Sequence, residues 1–311
     1  MPTKMKVAVF LSIPPAMPRF VKGCDYGAAI CQEVIDRWRR CSDGVFSINS
    51  KGELPSISMT LRNIEIIEIE GTERVKIADL TKQAIKLGFD RTVIANADCV
   101  PFDTGLLSDL ISSVQTNEMC MIRRTNLSED LAPISRQVFH GVDAFVLGAN
   151  ALKNAHQNGA WKIGESCWDI WFPIFLRSKG VDVFGIVPYP LIHFDHGANW
   201  NNHAWLMNAR RMIREIPLDS PAYGEKIRLL HFDRHESIDD RTIQRIFDGI
   251  AELLFNLNRP TPFQPGSFNA LFAAMIQRQL GPDTRAFERL IALSDNRILH
   301  WFLKTFPKFL S

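Results

Sequence analysis

A chain of 311 residues is long enough to bury a sizeable core and to fill one large domain or two. With 46% hydrophobic and 23% charged residues, its composition is that of a globular protein. A net charge of +2, with no long Lys/Arg block, argues against nucleic acid as a partner.

The amino-terminal run MPTKMKVAVFLSIPPAM is apolar only briefly before Pro14, Pro15 and Pro18. It reads as a first strand over 6–12 and not as a signal peptide. Residues 24–40 follow at helical spacing, with Ile30, Val34, Ile35 and Trp38 on one side. Strands are predicted over 44–49 and 64–69, then a helix over 77–87 closed by Gly88. The stretch FDRTVIANADCVPF, residues 89–102, holds the fourth strand, and a helix over 106–115 comes next. The pattern then gives strands over 118–124 and 143–147, helices over 149–155 and 168–179, and a last strand over 181–187. This alternation implies a mostly parallel sheet with helices on its faces.

Beyond about Asn201 the pattern is helical only: 203–215, 222–232, 238–257, 267–279, 284–294 and 297–308, broken by prolines. The expected division is therefore an α/β unit over 1–202 and a helical region over 203–311. No run approaches the roughly 18 apolar residues that a membrane span needs. Six scattered cysteines without a CxxC pair fit reduced thiols in a cytosolic protein.

In open parallel sheets, ligands gather at the carboxyl ends of the strands. Here those ends carry Ser12, Asn49, the pair Asn96 and Asp98, and the pair Arg123 and Arg124. Asp98 reads either as a turn or helix-capping residue beside Pro101 or as a ligand for Mg2+ or Mn2+. The Arg pair reads as solvated or as charge for a diphosphate. In LIHFDHGANWNNH, His193 and His196 either occupy a polar loop or complete a metal shell begun by Asp98. In KIGESCWDIWFP, Glu165 and Asp169 stand four apart near a helix start, between Trp168 and Trp171. They are caps, or one is a general base in a partly dry pocket. Cys99 and Cys167 have no histidine partner in the sequence pattern that would make either a nucleophile.

Taken in order, Asn96-Ala97-Asp98, Gly141-Val142-Asp143-Ala144-Phe145-Val146, Gly164-Glu165-Ser166-Cys167-Trp168-Asp169-Ile170-Trp171 and Ile192-His193-Phe194-Asp195-His196 form a recognisable series. Residues 6–202 resemble the GT-A-fold glycosyltransferases of the family 2-like, nucleotide-diphospho-sugar transferase type. The resemblance implies a donor nucleotide-sugar bound near Ser12, Asn49, Asn96, Asp98, Arg123 and Asp143. It implies Mn2+ or Mg2+ held by Asp98 with His193 or His196 and, if the reaction inverts, Asp169 as the base, with Glu165 beside it. The usual motif has two aspartates; the first is Asn96 here, which lacks a full charge.

A nucleotidyltransferase on a related sheet would want a Gly-rich loop after the first strand, and Ser12-Ile-Pro-Pro-Ala-Met-Pro18 has no glycine. A glycosyltransferase-like module that only binds a nucleotide or glycan, or scaffolds a partner, is the non-catalytic alternative. Residues 296–311 mix Arg297, Lys304 and Lys308 with Trp301, Phe302, Phe306 and Phe309. That segment reads either as a helix packed on the domain or a second subunit, or as a peripheral contact with the inner face of a membrane carrying a lipid-linked acceptor.

Overall fold

The computed structural model describes residues 5–18, 20–21, 24–53, 61–71, 74–102, 104–127, 142–156, 161–187, 190–194, 202–215, 239–255 and 257–260. In chain order the first elements are β1 (Val7–Leu11), β2 (Phe20–Val21), β3 (Cys24–Asp25), α1 (Gly27–Trp38), β4 (Gly44–Ser50), β5 (Glu65–Ile69) and α2 (Ile77–Leu87). Then come β6 (Arg91–Ala95), β7 (Cys99–Pro101), α3 (Thr104–Ser113), β8 (Glu118–Ile122), β9 (Arg124–Leu127), β10 (Ala144–Gly148) and α4 (Ala149–Ala155). The rest are α5 (Trp168–Ser178), β11 (Asp182–Val187), β12 (Leu191–Phe194), α6 (Asn202–Glu215), α7 (Asp240–Phe255) and β13 (Asn258–Pro260).

Eight strands form one sheet in the order β13-β11-β8-β10-β6-β1-β4-β5. Every pairing in it is parallel except the two made by β10, which runs against both β6 and β8. The expected mostly parallel α/β sheet is the one observed. Its inner strands are apolar on both faces because helices cover both. Val7, Val9 and Leu11 pack with Ile30, Val34, Ile35 and Trp38 of α1 and with Leu107 and Ile111 of α3. Ala8 and Phe10 point the other way, into a layer with α2, α4 and α5. Ala209, Met212 and Ile213 of α6, and Ile243, Ile246 and Ile250 of α7, are buried in that second layer.

Three expectations are corrected. The strand predicted over 118–124 stops at Ile122, and Arg124 opens a different strand, β9. His193 lies on β12 and not in a loop after the last strand. The region past 201 is not wholly helical, since β13 adds a parallel edge to β11. A three-residue edge strand ending in proline makes its case through backbone hydrogen bonds, which leave no apolar period in the sequence. The expected helices over 203–215 and 238–257 are present, whereas those over 222–232, 267–279, 284–294 and 297–308 lie outside the described residues. Among the described residues no helix is long and apolar enough to cross a membrane.

Two glycines act as punctuation. Gly88 closes α2 at φ 70°, in the left-handed region where glycine carries no Cβ penalty. Gly148 joins β10 to α4 under the carbonyls of Gln115 and Thr116, and the Thr116 oxygen accepts from the N–H groups of Asn150 and Ala151 at 2.8 and 3.1 Å. A Cβ on Gly148 would lie 2.0 Å from the Gln115 oxygen and 2.6 Å from that of Thr116. The Thr116 carbonyl cannot retreat without releasing the helix start. Gly148→Ala is therefore expected to cost roughly 1–3 kcal/mol, read as a lowered urea midpoint at unchanged slope.

Candidate active site

Because β10 is antiparallel to its neighbours, its amino-terminal end meets the carboxyl ends of β6 and β8. Ala144 pairs with Ala95 on one side and with Ile122 on the other. Asp143, one residue earlier, therefore stands level with Asn96 and Arg123. The backbone N–H of Asn96 donates to the Asp143 carbonyl at 2.8 Å, and that of Asp143 donates to Ile122 at 3.0 Å. The Asp143 side chain continues the seam: its Oδ1 accepts from Asn96 Nδ2 at 3.0 Å and from Arg124 Nη1 at 2.6 Å. With side chains only 12% and 2% exposed, Arg124 and Asp143 form a buried ion pair. Asp143 Oδ2 is buried and has no hydrogen-bond partner among the described residues.

A second, three-stranded sheet, β7-β12-β9, sits at this edge. It sets His193 between Cys99 on one strand and Asn126 on the other. His193 Nδ1 lies 3.0 Å from Asn126 Oδ1, which also accepts from Arg124 Nε at 2.8 Å. On the far side of the ring, Nε2 lies 3.3 Å from Asp98 Oδ2. Burial first, and the Arg124 charge second, push the His193 pKa down, although Asp98 pulls the other way. The neutral imidazole is the form that binds metals.

Asp98 and His193 fit a divalent cation. Ligand bonds of about 2.1 Å at right angles put neighbouring donors about 3 Å apart, close to the observed 3.3 Å. Among the described residues no group of three His, Cys, Asp or Glu gathers to hold a metal. A two-residue site of this kind suits an ion that takes its remaining ligands from substrate phosphates and water.

Asp169 occupies the first turn of α5, entered through Cys167 at φ 69°. Its Oδ2 accepts from the Val142 N–H at 3.1 Å, which ties it to the residue before Asp143. Burial, and then the Asp143 charge, raise its pKa to about 7 against the pull of backbone N–H groups and Arg124. The residue as a whole is half-buried. Glu165 is held elsewhere. Its Oε2 accepts from the Lys162 N–H at 3.2 Å and lies 3.7 Å from Arg211. Arg211 in turn stacks 4.3 Å over Trp161 and pairs with Glu215 at 2.9 Å. Glu165 thus belongs to the packing of α6, and among the described residues no hydrogen bond or ion pair joins it to Asp98, Asp143 or Arg124.

At the β1 and β4 end, Asn49 is fully buried and works as a clasp. Its Oδ1 accepts from Ser47 Oγ at 2.6 Å, and its Nδ2 donates to the Ile13 carbonyl at 2.8 Å and to Glu53 Oε2 at 3.3 Å. It shapes the turn after Ser12, with both amide hydrogens committed. Ser12 itself is partly exposed there. Arg123, at 3% exposure, is buried rather than solvated. Burial also pushes the Cys99 and Cys167 thiols well up, so neither is a ready thiolate. His196 lies outside the described residues. Sequence reasoning missed Asn126, the Val142 amide and the Arg124–Asp143 pair; Asn126 carries no motif, and a backbone N–H leaves no mark in a sequence.

The chain is similar in structure to a mannosyltransferase from Pyrobaculum calidifontis in complex with GDP-Man and Mn2+, at 12% identity over 99% of this chain and 89% of that one, with a TM-score of 0.46. It is also similar to a nucleotide-diphospho-sugar transferase from Desulfovibrio desulfuricans, at 12% identity over 82% and 99% of the two chains and a TM-score of 0.40. A nucleotidyl transferase from Methanothermobacter matches at 12% identity over 68% and 99%, again with a TM-score of 0.40. No family model matches the chain, and no curated protein matches its sequence.

The raised Asp169 pKa has a stability consequence with a definite sign. Below the ordinary carboxylate pKa near 4 the group is protonated in both states and adds no pH-dependent penalty. As pH climbs from 4 to about 7, the unfolded chain ionises while folded Asp169 holds its proton, and stability falls until the folded group also ionises. Asp169→Asn keeps an oxygen for Val142 and removes that fall. It is expected to gain on the order of 2–4 kcal/mol relative to wild type between pH 4 and pH 8 in urea unfolding.

Proposed function

We propose that this chain is a GT-A-type glycosyltransferase that moves a sugar from a nucleotide-diphospho-sugar to a hydroxyl group of a glycan, a lipid-linked glycan or a small molecule. One observation supports the reading: Asp98 and Asp169, from distant parts of the chain, both lie within the electrostatic reach of Arg124 at the carboxyl edge of the sheet. Asp98 stands on His193, Asp169 accepts from the residue before Asp143, and Asp143 is ion-paired with Arg124.

In this reading Asp98 and His193 would hold Mn2+ or Mg2+, which would supply positive charge to the leaving diphosphate. Val142 fixes one oxygen of Asp169, and the carboxylate takes the proton of the acceptor hydroxyl. The acceptor oxygen bonds to the anomeric carbon as the bond from that carbon to the diphosphate oxygen breaks. A pKa of about 7 suits the task, because roughly half of the base is ionised at neutral pH and it is still basic enough to accept a proton. The turn shaped by Asn49 and Ser12 lies at the end of the edge where the nucleoside is expected.

Asn96 does not count against catalysis. Its amide donates to the oxygen of Asp143 that Arg124 also uses. An aspartate there would set a second carboxylate 3.0 Å from the first. The missing charge of the motif is thus a requirement of the buried pair beside it.

A thermal-shift screen of nucleoside diphosphates, with and without Mn2+, tests the reading directly. At least one should raise the melting temperature by several degrees in the presence of Mn2+ and less after Asp98→Asn. A flat response to all of them sinks the proposal. With the donor so identified, Asp169→Asn should lower transfer at least 100-fold while leaving the nucleotide shift in place. The wild-type rate should fall about tenfold per unit as pH drops below about 7, where Asp169 becomes protonated. An unchanged rate in the variant removes Asp169 as the base and favours a binding module.

A further inference from the structure

Asn126 lies on β9 opposite His193 of β12, and the two side chains meet through one oxygen. Arg124 Nε can only donate, so the Asn126 atom 2.8 Å from it must be Oδ1 and not the amide nitrogen. His193 Nδ1 lies 3.0 Å from that same oxygen. A carboxamide oxygen offers only lone pairs, so Nδ1 must carry the hydrogen. In the neutral ring the remaining lone pair is then on Nε2, the atom 3.3 Å from Asp98 Oδ2. Arg124 cannot swing away and let the amide turn over, because its Nη1 is held by Asp143 at 2.6 Å. The order of constraint is Asp143, Arg124, Asn126, His193, Asp98, and each link leaves the next a single orientation.

We propose that Asn126 is a positioning residue for a divalent-cation site at Asp98 and His193, locking the imidazole in its Nδ1–H tautomer so that Nε2 turns towards the ion. The proposal rests on the reading above that these two residues take the cation. Its own content is narrower: the ring's presentation is decided one residue away, by a side chain that would touch neither ion nor substrate. A carboxylate oxygen and an imidazole lone pair facing each other repel, and an ion between them turns that repulsion into two ligand bonds. Hydrogen-bond partners that fix a metal-binding histidine in this way are worth 10–100-fold in affinity. Without Asn126 the Nδ1 hydrogen loses this acceptor, and a shift of the hydrogen to Nε2 or a turn of the ring withdraws the ligand.

Two measurements on the full chain at pH 8 decide the matter. Histidine 15N spectra of the metal-free protein report the tautomer of His193, assigned by the signal lost in His193→Gln. Electron paramagnetic resonance titration with Mn2+ alone reports binding. Wild type and Asn126→Asp, which keeps an oxygen acceptor, are expected to share the Nδ1–H tautomer and to bind Mn2+. Asn126→Leu should show a mixed tautomer and at least tenfold weaker binding. Equal Mn2+ binding and one shared tautomer in wild type and Asn126→Leu overturn the role of Asn126 while leaving the cation reading intact. No Mn2+ binding by the wild type overturns that reading and the proposal with it. The wild-type spectrum is decisive without the Asn126 variants, since a hydrogen on Nε2 would refute the lock even if Asn126→Leu failed to fold.

Discussion

The buried pair between Arg124 and Asp143 is the constraint on which the rest of the site depends. Bringing two charges out of water costs several kcal/mol for each ion, and a good geometry only roughly offsets that cost. Such a pair contributes little net stability, but it tolerates few alternatives. Arg124 stands where the chain leaves β8 of the large sheet and enters β9 of the small one. Asp143 stands just before β10, between the ends of β6 and β8. The ion pair therefore fixes how the small sheet sits on the edge of the large one. Through Arg124 Nε it sets Asn126, and through Asp143 Oδ1 it sets Asn96.

The same pair spreads an electrostatic influence in two directions. Arg124 adds to burial in disfavouring a proton on His193, which leaves the ring neutral beside Asp98. Asp143 adds to burial in disfavouring ionisation of Asp169, while Arg124 partly opposes that effect. One cation and one anion thus separate the tasks of the two arms: a neutral nitrogen on one side and a proton acceptor on the other. The antiparallel course of β10 makes this possible. In a wholly parallel sheet, the residue preceding a strand lies at the opposite edge from the strand ends that gather ligands. Reversing one strand brings Val142 and Asp143 to the working edge.

Much of the large sheet was legible in the sequence because its signals are local. VAVFL, GVFSINS and RTVIA are apolar runs, and the α1 stripe of Ile30, Val34, Ile35 and Trp38 is fully buried as its spacing implies. Asp98 and Asp169 were legible because each ends or begins an element whose pattern is strong. The small sheet was not. Arg124-Thr125-Asn126-Leu127 has no apolar alternation, and its strand character comes from pairing with Leu191–Phe194 far along the chain. Arg124 read as a solvated strand-end residue or as charge for a diphosphate because its partner, Asp143, enters from a strand whose direction the sequence does not announce. Glu165 and Asp169 looked equivalent four residues apart, yet Glu165 faces Lys162 and Arg211 while Asp169 faces Val142. Only the packing of α6 separates them.

The contrast between Asp143 and Asp169 shows how one neighbourhood gives two carboxylates different work. Asp143 meets a guanidinium and an amide on one oxygen, so its negative charge is answered where it is buried. Asp169 has backbone N–H groups but no cation of its own, and it sits close enough to Asp143 to be penalised by it. The charge that is paired becomes structure; the charge left short of a partner becomes reactive, because a proton is the cheapest compensation within reach. Under the proposed reaction this is the carboxylate that would take the acceptor's proton, and its burial at the start of α5 comes before the Asp143 charge in raising its pKa to a value suited to that task.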